Sequence, residues 1–468
     1  MRTKDLRFWI SMSVLATTAT YCLFSNTGSQ FVDELPWLYF VAWLAIVFSV
    51  VGKRIPAANV FKPSSLLLLY VSTFFLFGTV SYRFDLVFDT ADRHSLYAFK
   101  DLGYITAYIL SGFMILLAVW RVQYTKGNVR SECGAGSLPE RKPTGRRRFK
   151  GVLLSVSILF LCTALKLFEL SPGFLDPAAP FVVAALYLSS YSYREFPEVR
   201  IAVYALLTVV LASVFYDDRR LVAFLLFTLF FMEYSNRSGV TLSPGVLWKG
   251  VGVIVGFVAL VVGMSILRGV GGFGVDSLFS ALANVTDYFR MEDSLAMLFH
   301  NLEFAPTFFH TYDAVQYCIE SGHYLYGETI VKVLFLLVPR EAFEIKPDSM
   351  VHLYTSTLYP DYRYVGGSWV PNIFAEAYWN FGYVAGLAYL AALLWILDLI
   401  YLRQYSRLSS PSCIEGVLFL SCYYYLVFLF RGSGIDLFMY YCALSYFTCL
   451  VYRIFGEASR LGRRVRWQ

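Results

Sequence analysis

The stretch "VFLFRGSGIDLF", residues 427–438, sets an arginine, two glycines and an aspartate between strongly apolar runs. A guanidinium at the edge of an apolar segment is costly unless it meets a partner. A second stretch, "FYDDRRLVAF", puts Arg219 and Arg220 in the same setting, and Arg340, Lys346 and Arg363 stand between the two. Arginine is permanently charged and forks onto phosphate in bidentate fashion, so several gathered on one membrane face would bind a diphosphate. They would also stabilise its charge as it departs as a leaving group, without a metal. The glycines after Arg431 would let the backbone approach such a group. Each arginine alone fits a plainer reading, in which it snorkels to headgroups or pairs with Asp217, Asp218 or Asp436.

The second constellation is "GGSWVPNIFAEAYWNFG", 366–382. Pro371 suits the first turn of a helix, with Ser368 or Gly367 near its start. Glu376, Asn380 and Tyr383 then fall at i, i+4 and i+7, on one face. A helix over 371–402 would be roughly 45–50 Å long, more than a bilayer core, leaving Glu376 near one mouth of the span. Two roles for Glu376 are open: a base that deprotonates a sugar hydroxyl, or a group that orients an arginine. His300, His310, His323 and His352 are rival bases. Trp369, Tyr378 and Trp379 suit stacking on sugar rings, and Ser368 and Asn380 suit hydrogen bonds to them; interfacial aromatic belts have the same composition.

These residues need a membrane scaffold. The chain has 468 residues, 57% hydrophobic and 15% charged, and a mean hydropathy of +0.56, which mark an all-α, polytopic membrane helix bundle. Spans are predicted at about 8–25, 36–52, 63–82, 103–120, 151–169, 177–193, 199–216, 221–235, 247–267, 383–402, 413–430 and 435–453, about twelve in all. The start "MRTKDLRFWI" reads as an uncleaved first span. Loop 121–150 carries nine basic and two acidic residues, the tail 453–468 five and one, and loop 53–62 adds Lys53, Arg54 and Lys62. All lie on the cytoplasmic side if both termini do and the spans alternate. Segment 268–382 holds six basic and thirteen acidic residues and falls on the opposite side. Its length calls for structure of its own, including an amphipathic helix through Leu278, Leu282, Val285 and Phe289. "IVKVLFLLV", 330–338, is too short to span and is expected to lie at the interface or re-enter. The layout is thus 1–267, an N-terminal bundle of nine spans; 268–382, a large, partly helical outer loop; and 383–468, three spans and a basic tail. The eight cysteines form no CxxC pair, so neither a metal nor a cofactor is expected, and the net charge of +6 gives no reason to invoke nucleic acid.

Residues 326–384 resemble the bacterial Wzy family, polymerases of O-antigen and related polysaccharide repeat units. The resemblance rests on Tyr326-Gly327, "VLFLLVPRE", Lys346-Pro347, Gly367-Ser368 and "AEAYWNFGYVAG", in that order. Phe343 stands where the family often has tryptophan, and Ala375 where glycine is common. The resemblance implies a GT-C-like fold and glycosyl transfer, with inversion, at the outer (periplasmic) face of the bacterial inner membrane. Undecaprenyl-pyrophosphate-linked oligosaccharides would be donor and acceptor, membrane lipids the surroundings, and a Wzz-type chain-length regulator the partner. It implies Glu376, Arg340 and Arg431 as catalytic residues. Arg219, Arg220, Arg340 and Arg431 would bind pyrophosphate with help from Lys346 and Arg363, and Trp369, Tyr378, Asn380 and Ser368 would contact substrate. An O-antigen ligase acting on lipid A–core is the nearest rival; a lipid-linked oligosaccharide flippase fits less well, because no repeated halves are visible.

Overall fold

The computed structural model describes residues 3–25, 29–51, 57–87, 99–134, 293–336, 346–405 and 414–447, with a few isolated positions besides. The five spans expected within 151–267, and the amphipathic helix expected around 278–289, fall outside the described residues except at isolated positions.

Among the described residues the regular elements are helical. The principal ones are α1 (Thr3–Phe24), α2 (Ser29–Val50), α3 (Pro63–Arg83), α4 (Leu102–Gly134), α5 (Phe304–Ser321), α6 (Met350–Leu358), α7 (Ile373–Tyr405), α8 (Ile414–Arg431) and α9 (Ile435–Phe447). Apart from α5 and α6, they overlay the seven spans predicted outside 151–267. Stretches 31–50, 63–83, 102–123 and 373–404 are each long and apolar enough to cross a membrane. This gives the chain the character of a polytopic membrane protein.

Side-chain contacts fix the helix directions. Arg7 at the start of α1 lies 4.9 Å over the ring of Phe48 near the end of α2. Arg83 at the end of α3 pairs with Asp33 near the start of α2 at 3.1 Å. Tyr108 in the first turns of α4 donates to Phe374 O at the start of α7 at 2.9 Å. Tyr401 near the end of α7 packs on Phe419 near the start of α8. One end of the bundle therefore gathers the start of α3 with the end of α7. The opposite end gathers the end of α3 and the starts of α4 and α7.

The start of α3 is capped from a distant element. Its own preceding residue, Lys62, offers no side-chain cap. Asp398 on α7 instead accepts the Ser64 N–H at 3.0 Å and the Ser64 hydroxyl at 2.5 Å. A carboxylate there satisfies an otherwise orphaned amide and opposes the helix dipole. Lys62 is wholly buried beside it; burial lowers its amine to about 8, and the Asp398 charge pulls it partly back up.

The polar pattern of its sequence places α5 in the outer loop, yet it packs among α2, α3, α4 and α7. Phe304, Phe308 and Tyr312 fall at i, i+4 and i+8 and form an aromatic stripe. Phe308 meets Phe75 edge-on at 5.6 Å between ring centroids, and the Tyr312 hydroxyl lies 2.7 Å from those of Tyr39 and Thr106. Its polar residues hid this packing. Gln316 settles onto Asp101, accepting its N–H at 3.2 Å and donating to its carboxylate at 3.1 Å.

The uninterrupted helix expected over 371–402 is interrupted. Gly382 has φ 72 and ψ −164, a conformation open to glycine, which separates residues 373–381 from 383–405. The freed Trp379 carbonyl accepts Leu325 N–H at 2.9 Å. The second part still measures about 35 Å at 1.5 Å per residue, enough to cross a bilayer core. The first part, with Glu376, is a short buried helix at the mouth of the bundle.

Candidate functional site

Asn372 starts that short helix by accepting the N–H groups of Phe374 (2.9 Å) and Ala375 (3.3 Å), the side-chain cap that asparagine supplies at a helix start. One turn on, Glu376 is fully buried. Its Oε1 accepts the Thr329 hydroxyl at 3.0 Å and the Ile435 N–H at 3.5 Å. Asn380, also fully buried, donates from Nδ2 to Thr329 Oγ1 at 2.9 Å and to Glu376 O at 2.8 Å. Glu376 Oε2 and Asn380 Oδ1 have no hydrogen-bond partner among the described residues. Glu376 and Asn380 share a face as their spacing predicts, in a buried network rather than an open cleft; Tyr383, expected on the same face, lies beyond the break at Gly382 and bonds Ser111 at 3.0 Å instead.

The Ile435 amide belongs to the other constellation. After Arg431 the chain turns sharply: Gly432 N–H returns to Leu429 O at 3.1 Å and Ser433 N–H to Phe428 O at 2.8 Å. Gly432 has φ 90, and a Cβ there would strike the Pro371 carbonyl and Asn372. Only glycine allows that approach. The two stretches singled out in the sequence, 366–382 and 427–438, therefore meet backbone to backbone, with Glu376 between them.

Arg431 does not pair with Asp436, its neighbour in sequence. Its Nε donates to Glu303 Oε2 at 2.9 Å and its Nη2 to Glu303 Oε1 at 3.2 Å, with 18% of the arginine and 33% of the glutamate side chain exposed. Two of five guanidinium N–H groups are engaged, and the Nη1 edge takes no partner among the described residues. Asp436 binds Lys332 at 2.8 Å, with both side chains at most 15% exposed. Sequence reasoning missed Glu303, Thr329 and Lys332. Lys332 had a visible signal, a charge within "IVKVLFLLV", which demands a buried partner. Glu303 had none, because it reaches Arg431 across 128 residues from a left-handed backbone position just before α5.

The other expected residues are placed as follows. Arg219, Arg220 and Arg340 lie outside the described residues. Lys346 donates to Val338 O at 2.8 Å, and Arg363 and Ser368 are exposed; no contact among the described residues joins any of them to Arg431. Tyr378 and Trp379 are core residues, Tyr378 edge-on to Tyr108 at 4.9 Å and Trp379 edge-on to Tyr317 at 5.5 Å, so neither faces outward for a sugar. Trp369 is half-buried, its backbone N–H held by Thr355 Oγ1 at 3.0 Å and its indole stacked on Tyr362 at 5.0 Å. Among the described residues no three His, Cys, Asp or Glu side chains group as metal ligands.

Among the described residues the fold is helical with apolar helices of membrane-spanning length, and the site is a buried carboxylate network with an arginine at the bundle's mouth. No family model, curated protein or solved structure matches the chain.

Proposed function

We propose that this protein is a glycosyltransferase of the GT-C-like kind. It joins undecaprenyl-pyrophosphate-linked oligosaccharide repeat units at the periplasmic face of the bacterial inner membrane, without a cofactor. The observation that carries the reading is the junction of the "RGSG" turn with the Pro371–Glu376 segment. It fixes a partly exposed guanidinium at the end of the bundle where a lipid-linked diphosphate would sit. Glu303 holds one edge of Arg431, and the Nη1 edge faces the leaving group, whose growing charge the arginine stabilises. Arg219, Arg220 and Arg340, with Lys346 and Arg363, complete the anion site in this proposal. Glu376 and Asn380 act from inside: they hold the turn that carries Arg431 instead of touching sugar. Trp369 and Ser368 remain on the substrate side, and a Wzz-type regulator is the proposed partner.

The lipopolysaccharide of a deletion strain tests this. A single repeat unit on each core is the expected product. A bare core would replace the polymerase by a ligase or a flippase, and an unaltered ladder would remove the protein from the pathway altogether.

A further inference from the structure

Tyr326-Gly327 plays no part in the anion site, yet its backbone is held under strain beside it. Leu325 O accepts the Glu328 N–H at 2.9 Å, and the two residues between, Tyr326 (φ 47) and Gly327 (φ 90), are both left-handed. That is a type I′ turn, which favours asparagine, aspartate or glycine at its first central position. A bulky tyrosine there is strained. The neighbours account for the turn but not for the tyrosine. Leu325 is buried and gives its N–H to the Trp379 carbonyl freed by the break at Gly382, at 2.9 Å. Gly327 backs onto the Phe381 ring, and Thr329, wholly buried, donates to Glu376 Oε1 at 3.0 Å. Between these anchors Tyr326 is 82% exposed, its ring edge-on to Tyr324 at 6.4 Å between centroids. Burial does not offset the strain, so the turn holds an aromatic ring outward on a fixed backbone. The place matters too. Glu376 Oε1 also accepts the Ile435 N–H, four residues past Arg431, so one buried oxygen ties the tyrosine turn to the arginine turn. Glu303, which grips Arg431, is a second non-glycine residue with a left-handed backbone, φ 60.

We infer that Tyr326 is a sugar-stacking residue, its ring face receiving a pyranose ring of the lipid-linked repeat unit whose diphosphate meets Arg431. This rests on the glycosyltransferase reading. The face of an aromatic ring is its negative side, and the C–H bonds on one side of a pyranose are weakly positive, so the two stack. Tyrosine presents that face as a large, rigid surface with only two side-chain torsions to fix. Lipid headgroups are the other surroundings open to an exposed tyrosine at this end of the bundle. They require apolar area and a hydroxyl, which an unstrained helical position supplies equally well. A strained turn anchored on both sides suits a ring that must stand at a set place relative to Arg431.

The test uses the full chain in lipid nanodiscs and the lipid-linked oligosaccharide that a deletion strain accumulates. The wild type is assayed first, and absence of polymer would overturn the glycosyltransferase reading itself. Given polymer, Tyr326→Gly is the decisive variant, because glycine adopts φ 47 without strain and the turn stays intact. Its KM is expected to rise roughly 10-fold, with kcat and the thermal unfolding temperature held, the pattern of lost uniform binding. Tyr326→Phe keeps the ring face and should keep the wild-type KM. Tyr326→Leu keeps apolar area for lipid but has no ring face, and should match Tyr326→Gly. Wild-type KM in Tyr326→Gly would remove the stacking role and leave the function standing. Wild-type KM in Tyr326→Leu alone would assign the ring to lipid. A loss in Tyr326→Phe equal to that in Tyr326→Gly would assign recognition to the hydroxyl, and a fall in kcat with KM held would assign Tyr326 to the reacting atoms. Each of these outcomes overturns the inference.

Discussion

At the scale of single residues, the division of labour between Glu376 and Arg431 is open to direct measurement. Glu376 Oε1 is an acceptor for two donors, and the amide oxygen of glutamine can take both. A positioning role therefore predicts that Glu376→Gln keeps polymer synthesis within several-fold of wild type. Glu376→Ala leaves Thr329 and Ile435 N–H unsatisfied inside the bundle, a cost of about 1–3 kcal/mol, and should lose both polymer and thermal stability. If instead Glu376→Gln abolishes product while the protein stays folded, the carboxylate does chemistry. Arg431 is the opposite case. Lysine keeps the charge but cannot hold Glu303 with two parallel bonds while presenting a third edge to an anion. Arg431→Lys should therefore lose most polymer at normal protein levels, as judged on a polysaccharide gel. Glu303→Gln should lose less, because Arg431 keeps its charge; equal losses would mean that the pair matters for folding alone.

At the scale of elements, the caps and turns show what pattern reading reaches and where it stops. The start of α3 was legible: Pro63 follows a basic loop and opens an apolar run, and the helix begins there. The residue that caps it, Asp398, was visible only as a mid-span charge, because its partner Ser64 is 334 positions away. Asp398→Ala removes the acceptor of two Ser64 donors and should cost about 1–3 kcal/mol of unfolding stability in detergent. Asp398→Asn should recover part of that loss, and identical denaturation midpoints for both variants and wild type would rule out the cap. The break in α7 was hidden for a different reason. Isolated glycines are common in membrane helices, and only a positive φ distinguishes Gly382 from its neighbours. Gly432 was legible as a turn glycine, but not the backbone it touches. Gly432→Ala combines a left-handed φ with a clash against Pro371, a strain of roughly 1–3 kcal/mol. It should separate the two stretches, so polymer falls while helix content by circular dichroism stays. Wild-type polymer from that variant would mean the junction does not position Arg431.

At the scale of the whole molecule, hydropathy located seven of the described helices, α1 to α4 and α7 to α9, and charge proposed their sidedness. The reach of both ends at contacts between spans. α5 shows this: its His310, Asp313 and Gln316 break any apolar run, so composition assigned it to a loop, whereas aromatic packing draws it between α2, α3 and α4. The directions of the described helices put the loop between α2 and α3 at one end, with the end of α7. The 360–368 segment before α7 lies at the other. Basic residues in loops 53–62 and 121–150 predict that the first of these ends is cytoplasmic. Tyr364, 92% exposed, marks the other end. A membrane-impermeant maleimide added to spheroplasts should therefore label Tyr364→Cys, while Arg54→Cys should react only after the membrane is opened. The reverse pattern would put the Arg431 turn in the cytoplasm, away from a periplasmic diphosphate, and no arrangement of side chains around it would then sustain polymerisation on the outer face.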